Sequence, residues 1–132
     1  MNTVLFQARA NRLIEDVFKA FQLDKRGTMD ELRLEKHLQE ILQVLNESTD
    51  INRLTIRLEK FYQNASFLIG LGDVQLSEAT KRAWRAYDQF HYDQVKPKLL
   101  LDGNTRLAWL FYLVIVTKVT TLGNRRVVFF ML

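Results

Sequence analysis

Apolar and polar residues alternate with the period of α-helices over the first hundred residues of the chain. In the first segment, about residues 3–23, apolar side chains recur at steps of three and four, namely Phe6, Ala10, Leu13, Val17 and Phe21. This spacing places them on one face of a helix. Gly27 is expected to close that helix, because glycine adopts the left-handed conformation that commonly follows a helix end.

A second helix is predicted to begin at Thr28, because Thr28 and Glu31 have the spacing of a capping box. Its apolar stripe consists of Leu34, Leu38, Ile41 and Leu45. A short break over residues 46–50 follows. The first two helices are therefore expected to form an antiparallel hairpin.

A third helix is predicted from about Asp50, with coiled-coil-like spacing of its apolar residues. The stripe consists of Ile51, Leu54, Leu58, Phe61, Ala65 and Leu68, and Glu59 lies off it. Residues 70–73, Gly-Leu-Gly-Asp, predict a break and a candidate hinge.

A fourth helix is predicted over about 77–95, capped by Ser77. Its apolar face is expected to contain Ala79, Ala83, Tyr87 and Phe90, flanked by Trp84 and His91. Pro97 is expected to end or kink it.

Residues 107–116 are ten consecutive apolar residues without a polar face. Protein, a partner or lipid must therefore cover them on every side. A spanning helix needs about 20 apolar residues, and Lys118 follows closely, which disfavours lipid. We predict a buried helix over about 105–121. A buried strand is the alternative, because periodicity does not separate the two in a short run.

The predicted fold is all-α, a single domain over residues 1–132. It is an antiparallel bundle of four to five helices around a central apolar helix at about 105–121. A short extended apolar tail follows, and chain ends are normally polar. Its residues are candidates for binding a partner: Val127, Val128, Phe129, Phe130, Met131 and Leu132.

Composition excludes several classes of chemistry. The chain has no cysteine, so disulfides and cysteine-based metal sites are excluded, and a reducing, cytoplasmic location is expected. Its two histidines, His37 and His91, lie far apart in sequence and lack metal-ligand spacing. The glycine pair near residue 70 follows a helix, whereas a phosphate-binding loop follows a strand. We therefore expect no metal and no cofactor.

The net charge of +4 comes entirely from the second half of the chain, because residues 1–72 hold ten basic and ten acidic side chains. Within residues 81–98, cations that can neutralise phosphates are interleaved with aromatic rings that can stack on bases. The candidates for nucleic-acid binding are Lys81, Arg82, Trp84, Arg85, Tyr92, Lys96 and Lys98. The alternative is that the cations form a solvated helix face and the rings belong to the core.

Arg85 and His91, six residues apart and followed by Tyr92, resemble the Arg-x(4–6)-His pattern of HEPN-domain ribonucleases. The resemblance covers seven residues, and Ala86 stands where that family usually has a polar residue. It implies a small helical protein that acts across a dimer interface. His91 would be the general acid or base and Arg85 the group that binds the scissile phosphate.

The sequence predicts a non-enzymatic interaction or assembly protein, which either self-associates as a homo-oligomer or binds a protein partner through residues 127–132. The alternative is a basic helical subunit that binds nucleic acid, with the HEPN-like ribonuclease as its catalytic form. A membrane-surface role is disfavoured, because residues 107–116 lack the polar face that such a helix needs.

Overall fold

The computed structural model describes residues 3–48 and 50–101, and every secondary-structure element within these ranges is helical. The elements are α1 (Thr3–Asp24), α2 (Met29–Glu47), α3 (Ile51–Leu71), α4 (Glu78–Phe90), a π-helical turn (His91–Val95) and α5 (Lys96–Leu101). The all-α prediction is confirmed for this part of the chain. The predicted central helix at 105–121 and the tail at 127–132 lie outside the described residues and remain predictions.

The helices pack side by side. Helix α1 lies between α2 and α4, α2 packs on α3, and α3 also contacts the π-helical turn and α5. Helices α1 and α4 are antiparallel: Asp24 at the end of α1 accepts hydrogen bonds from the start of α4. The Phe6 ring near the beginning of α1 lies 5.5 Å from Phe90 at the end of α4.

The core is built from the stripes that the sequence predicts for α1, α2 and α3. One connected cluster contains their buried members Phe6, Ala10, Val17, Phe21, Leu34, Leu38, Ile41, Leu45, Leu54, Leu58, Phe61 and Ala65. Ile14 also joins this cluster. Burial of these apolar surfaces supplies the main favourable contribution to folding.

The buried face of α4 differs from the predicted one. Ala79 is exposed and Ala83 is half-buried, whereas Trp84 and His91 lie inside the bundle with Tyr87 and Phe90. Large aromatic rings bury far more surface than alanine methyl groups do. The rotational setting of α4 is therefore fixed by its rings.

Caps confirm the predicted end of the first helix and the predicted starts of the next three. Gly27 has φ +93°, in the left-handed region. The Thr28 hydroxyl accepts from the Glu31 amide, and the Glu31 carboxylate accepts from the Thr28 amide, which completes the capping box. Asp50 and Ser77 cap α3 and α4 by accepting amide hydrogen bonds through their side chains. The fourth helix, predicted to about residue 95, is α-helical only to Phe90.

The segment predicted as a hinge, residues 70–73, is tied to the α1–α2 connection. Asp73 donates its amide to Asp30 and its carbonyl accepts from the Thr28 hydroxyl, both at 2.8 Å. Arg26 bridges the buried Glu31 and the exposed Asp73. These contacts join the two connections at one end of the bundle.

The helical segment that begins with α4 does not end at Pro97, because the π-helical turn and α5 follow α4 directly. Proline lacks an amide donor, and its ring clashes with the carbonyl four residues earlier in an α-helix. The π-helical turn ends at Val95, two residues before Pro97, and Lys96 donates its amide to the carbonyl of His91, five residues back. This wider turn accommodates the proline and lets α5 follow without a break.

Truncation of a core leucine tests this packing. Leu38 is 0% exposed and Leu23 is 90% exposed, and both lie in helices. We expect Leu38→Ala to lower the free energy of unfolding by about 2–5 kcal/mol, because it leaves a cavity. Leu23→Ala should change it by less than about 0.5 kcal/mol. Urea denaturation measures both values, and equal effects would contradict the described core.

Candidate functional site

The predicted nucleic-acid contacts separate into an exposed and a buried group. Lys81, Arg82, Arg85 and Tyr92 are exposed on the α4 side of the bundle. Two of these cations, Lys81 and Arg85, lie 3.5 and 3.9 Å from the carboxylate oxygens of Glu78. Part of the positive charge of this surface is therefore compensated by a neighbouring acid.

Trp84 and Lys98 contact other parts of the bundle. Trp84 is 8% exposed, lies edge-on to Phe61 and stacks on Tyr62 with the ring centroids 5.9 Å apart. Lys98 is half-buried, with its ammonium 5.1 Å from the centroid of the Phe6 ring. The indole is thus used by the core and does not offer a face for stacking on a base.

His91 and Lys96 lie in the interior and meet on the carboxylate of Glu59 in α3. His91 Nε2 lies 2.8 Å from Glu59 Oε1, and Lys96 Nζ lies 3.3 and 3.4 Å from the two carboxylate oxygens. The hydroxyl of Tyr87 lies 2.9 Å from His91 Nδ1. We call Glu59, Tyr87, His91 and Lys96 the Glu59 network.

Donor and acceptor chemistry assigns the protons of this network. A carboxylate only accepts hydrogen bonds, so His91 donates through its Nε2 proton to Glu59. His91 Nδ1 then accepts from the Tyr87 hydroxyl. Gln63 donates to the second Glu59 oxygen at 2.9 Å. Both imidazole nitrogens and both carboxylate oxygens therefore have partners, as buried polar atoms require.

The charges of the network are set by burial and by its partners. Burial alone would raise the pKa of Glu59, but the hydrogen bond from His91 and the positive charge of Lys96 outweigh it and lower that pKa to about 2. Burial lowers the pKa of His91 and of Lys96, and Glu59 opposes this effect at both groups. At neutral pH we therefore assign a neutral imidazole beside one carboxylate–ammonium pair.

Tyr62 forms the wall of the network. Its ring stacks on His91 with centroids 4.1 Å apart and an interplanar angle of 10°. The Lys96 ammonium lies 5.2 Å from the centre of the same ring. Its hydroxyl donates to Asp88, and burial raises the pKa of this phenol well beyond its ordinary value. Tyr62 thus connects α3 to α4 through Asp88 and to the π-helical turn through His91.

Helix geometry explains why these residues meet. The buried residues of α3 extend beyond the predicted stripe to a neighbouring row that contains Thr55, Glu59 and Tyr62. Residues four and three apart share a helix face, so this row is turned toward α4 and α5. His91 and Lys96 are five residues apart, a separation that the five-residue bonding of the π-helical turn brings to one side.

The arrangement does not bring Arg85 and His91 together as a catalytic pair. The His91 side chain is 0% exposed and has both nitrogens hydrogen-bonded, whereas the Arg85 side chain is 66% exposed and pairs with Glu78. A phosphate bound by Arg85 at the surface would have no access to the imidazole. In the described geometry His91 is a buried structural histidine.

No protein-family model, no curated protein and no solved structure matches this chain.

Within residues 3–48 and 50–101, no three histidine or acidic side chains form a group that could hold a metal ion. The described helices also include none that is long and apolar enough to cross a bilayer. The partner-binding candidates, residues 127–132, lie beyond the described ranges.

Sequence reasoning missed Glu59 as a member of the core. A glutamate beside an apolar stripe usually faces water, because a carboxylate is costly to bury without partners. The available signal is that Thr55 and Tyr62, which share a helix face with Glu59, carry no charge. Its buried cation, Lys96, follows the π-helical turn, and the sequence pattern did not predict that turn.

Removal of the Glu59 carboxylate tests the network. Glu59→Ala would remove the carboxylate that accepts from a buried ammonium and from an imidazole proton, so we expect a loss of about 3–5 kcal/mol in the free energy of unfolding. The matched control is Glu40→Ala, whose carboxylate lies 3.9 Å from Lys36 at the surface. That change should cost less than about 1 kcal/mol. Comparable losses in chemical denaturation would contradict the assignment.

Proposed function

We propose that this chain is a non-enzymatic helical assembly protein, in which the bundle carries an apolar carboxyl-terminal region that binds a second copy or a protein partner. In this proposal residues 105–121 form an apolar helix enclosed by protein. Residues 127–132 form the extended tail that makes the contact, because an apolar segment of this kind is stabilised by removal from water.

The observation that carries the proposal is that the polar side chains of the Glu59 network form their hydrogen bonds with one another inside the bundle. The imidazole of His91, the carboxylate of Glu59 and the phenol of Tyr87 bind one another inside the core. Such a network supports a rigid scaffold, whereas catalysis requires a group that reaches substrate. An assembly role requires no catalytic group and is therefore compatible with this arrangement.

The location of α5 also supports the proposal. Lys98 of α5 lies over Phe6 near the start of α1, where Leu5 is 63% exposed. Helix α5 therefore lies beside the start of α1, at one end of the bundle. The segment that we propose to bind a partner follows this element in the chain.

Deletion of residues 127–132 tests the proposal. We expect the deletion to lower the native mass toward the 15.6 kDa of one chain, or to abolish capture of a defined protein partner, while circular dichroism retains its helical signal. Light scattering measures the mass. The full-length variant Phe129→Ser/Phe130→Ser should act in the same direction, because serine removes apolar contact area but retains chain length. Unchanged mass and unchanged capture in both variants would reject the proposal.

A second candidate function, binding of single-stranded nucleic acid, is favoured by one observation. Lys81, Arg82, Arg85 and Tyr92 are exposed along the same helix and its continuation. Their cations can contact phosphates, and the Tyr92 ring, 54% exposed, can stack on a base. In this reading Trp84 and Lys96 stabilise the bundle, and the exposed side chains alone bind.

Charge removal distinguishes the two functions. If nucleic acid binds, the triple variant Lys81→Ala/Arg82→Ala/Arg85→Ala should weaken binding of a short oligonucleotide and reduce its salt dependence by up to about three phosphate contacts. A control of equal charge is Arg53→Ala/Arg57→Ala/Lys60→Ala on the exposed face of α3. Fluorescence anisotropy at about 50 mM salt measures both. No binding by the unmodified protein, or equal losses in the two variants, would exclude this surface.

A further inference from the structure

The π-helical turn is held at both ends by one carboxylate. His91 begins the turn and Lys96 follows its last residue, and both side chains bind Glu59 of α3. Helices α3 and α5 are thus connected through a polar contact with side-chain exposures of 0% at His91, 1% at Glu59 and 12% at Lys96. A change of charge within this contact acts on the whole turn.

The surroundings of His91 do not accommodate a second proton. Within the described residues, α3 presents Glu59 and Tyr62 to it, α4 presents Tyr87 and Asp88, and the start of α5 presents Lys96. Glu59 supplies one negative charge, which Lys96 already neutralises. Asp88 accepts from the Tyr62 hydroxyl, and its charge, like that of Glu59, favours a proton on His91, but burial outweighs both.

A proton on His91 would have two consequences. The imidazolium Nδ1 would become a donor directed at the Tyr87 hydroxyl, so that hydroxyl would have to turn and lose its present acceptor. Two cations would also share the single Glu59 carboxylate in a water-excluded site, where like charges repel strongly.

We propose that the Glu59 network is an acid-sensitive switch that fixes residues 91–101 to α3 at neutral pH and releases them, ahead of the rest of the bundle, when a proton is taken up by His91. The released segment is the one that leads into residues 102–132. The switch therefore sets whether the segment that precedes the apolar carboxyl-terminal region is fixed to α3, whichever partner that region binds.

The expected size of the effect follows from proton linkage. Burial lowers the pKa of His91 from its ordinary 6.5 in the closed segment, and the open segment regains the ordinary value. Because the open state then binds more protons, stability of the closed state is lost as pH falls through 6.5. Between pH 7.5 and 5.5 the opening constant should rise by up to about tenfold, the limit reached when the closed segment takes up no proton. Glu59, with its pKa of about 2, stays ionised throughout this window.

Native-state hydrogen exchange of the full chain tests the switch, with protection factors of individual amides measured at pH 7.5 and 5.5. On going from pH 7.5 to 5.5, amides of residues 91–101 should lose protection by up to about tenfold. They should also remain less protected than buried amides of α2 and respond weakly to low urea, since a local opening exposes little surface. His91→Gln should abolish the pH dependence, because glutamine still donates to Glu59 but does not titrate. His37→Gln, at the half-buried histidine of α2, should preserve it.

Three results would overturn the switch. One is pH-independent protection over residues 91–101, and another is unchanged pH dependence in His91→Gln. The third is exchange of residues 91–101 and α2 at one rate with one urea dependence, which would mean that the segment opens only with the bundle. If His91→Gln does not fold, titration of the imidazole by NMR in the unmodified protein decides, since an ordinary pKa near 6.5 in the folded state removes the basis of the switch.

Discussion

The described bundle depends on how it accommodates one buried carboxylate. Glu59 is 1% exposed, and an ionised carboxylate without partners would be too costly to keep there. Besides Gln63 of α3, its partners are His91 in the π-helical turn and Lys96 in α5. Satisfying this charge therefore requires α3 and residues 91–101 to adopt one relative position. Apolar stripes bring helices together with some freedom of rotation and translation, whereas donors at 2.8 and 3.3 Å allow little of either. The network thus contributes specificity of arrangement even where its net contribution to stability is small.

The π-helical turn links backbone geometry to this charge. Pro97 prevents a regular α-helical turn before it, and the wider turn that accommodates the proline also brings His91 and Lys96 to one side. The same turn therefore avoids the steric clash of the proline and positions the two partners of the Glu59 carboxylate. Tyr62 closes the site by stacking on His91 and by binding Asp88. These contacts explain why the histidine and lysine that resemble catalytic or phosphate-binding groups in the sequence are occupied inside the protein, and why assembly is the function that we propose.

The sequence predicted features that depend on local chemistry. The capping box at Thr28 and Glu31 and the left-handed Gly27 were found because each follows from residues within one turn. The stripes of α1 to α3 were found because apolar spacing has one interpretation over several turns. The predicted buried face of α4 differs from the observed one, because the apolar pattern gives alanines the same weight as aromatic rings. At Pro97 the sequence leaves an end and a kink of the helix open, and it does not predict the π-helical turn, which is an unusual backbone conformation. It does not predict the burial of Glu59 either, because the partner His91 lies 32 residues away. The candidate site is therefore a product of tertiary contacts.

A double-mutant cycle between Glu59 and Lys96 tests the central claim most directly. Glu59→Leu and Lys96→Met each leave the other charge buried without its partner, so each single change should be strongly destabilising. The double variant removes both charges and leaves neither unpaired. The account predicts that the double variant loses less stability in urea denaturation than the two single losses together, by at least about 1 kcal/mol. Additive losses, within about 0.5 kcal/mol, would contradict it, because they would mean that the two charges are stabilised independently of each other.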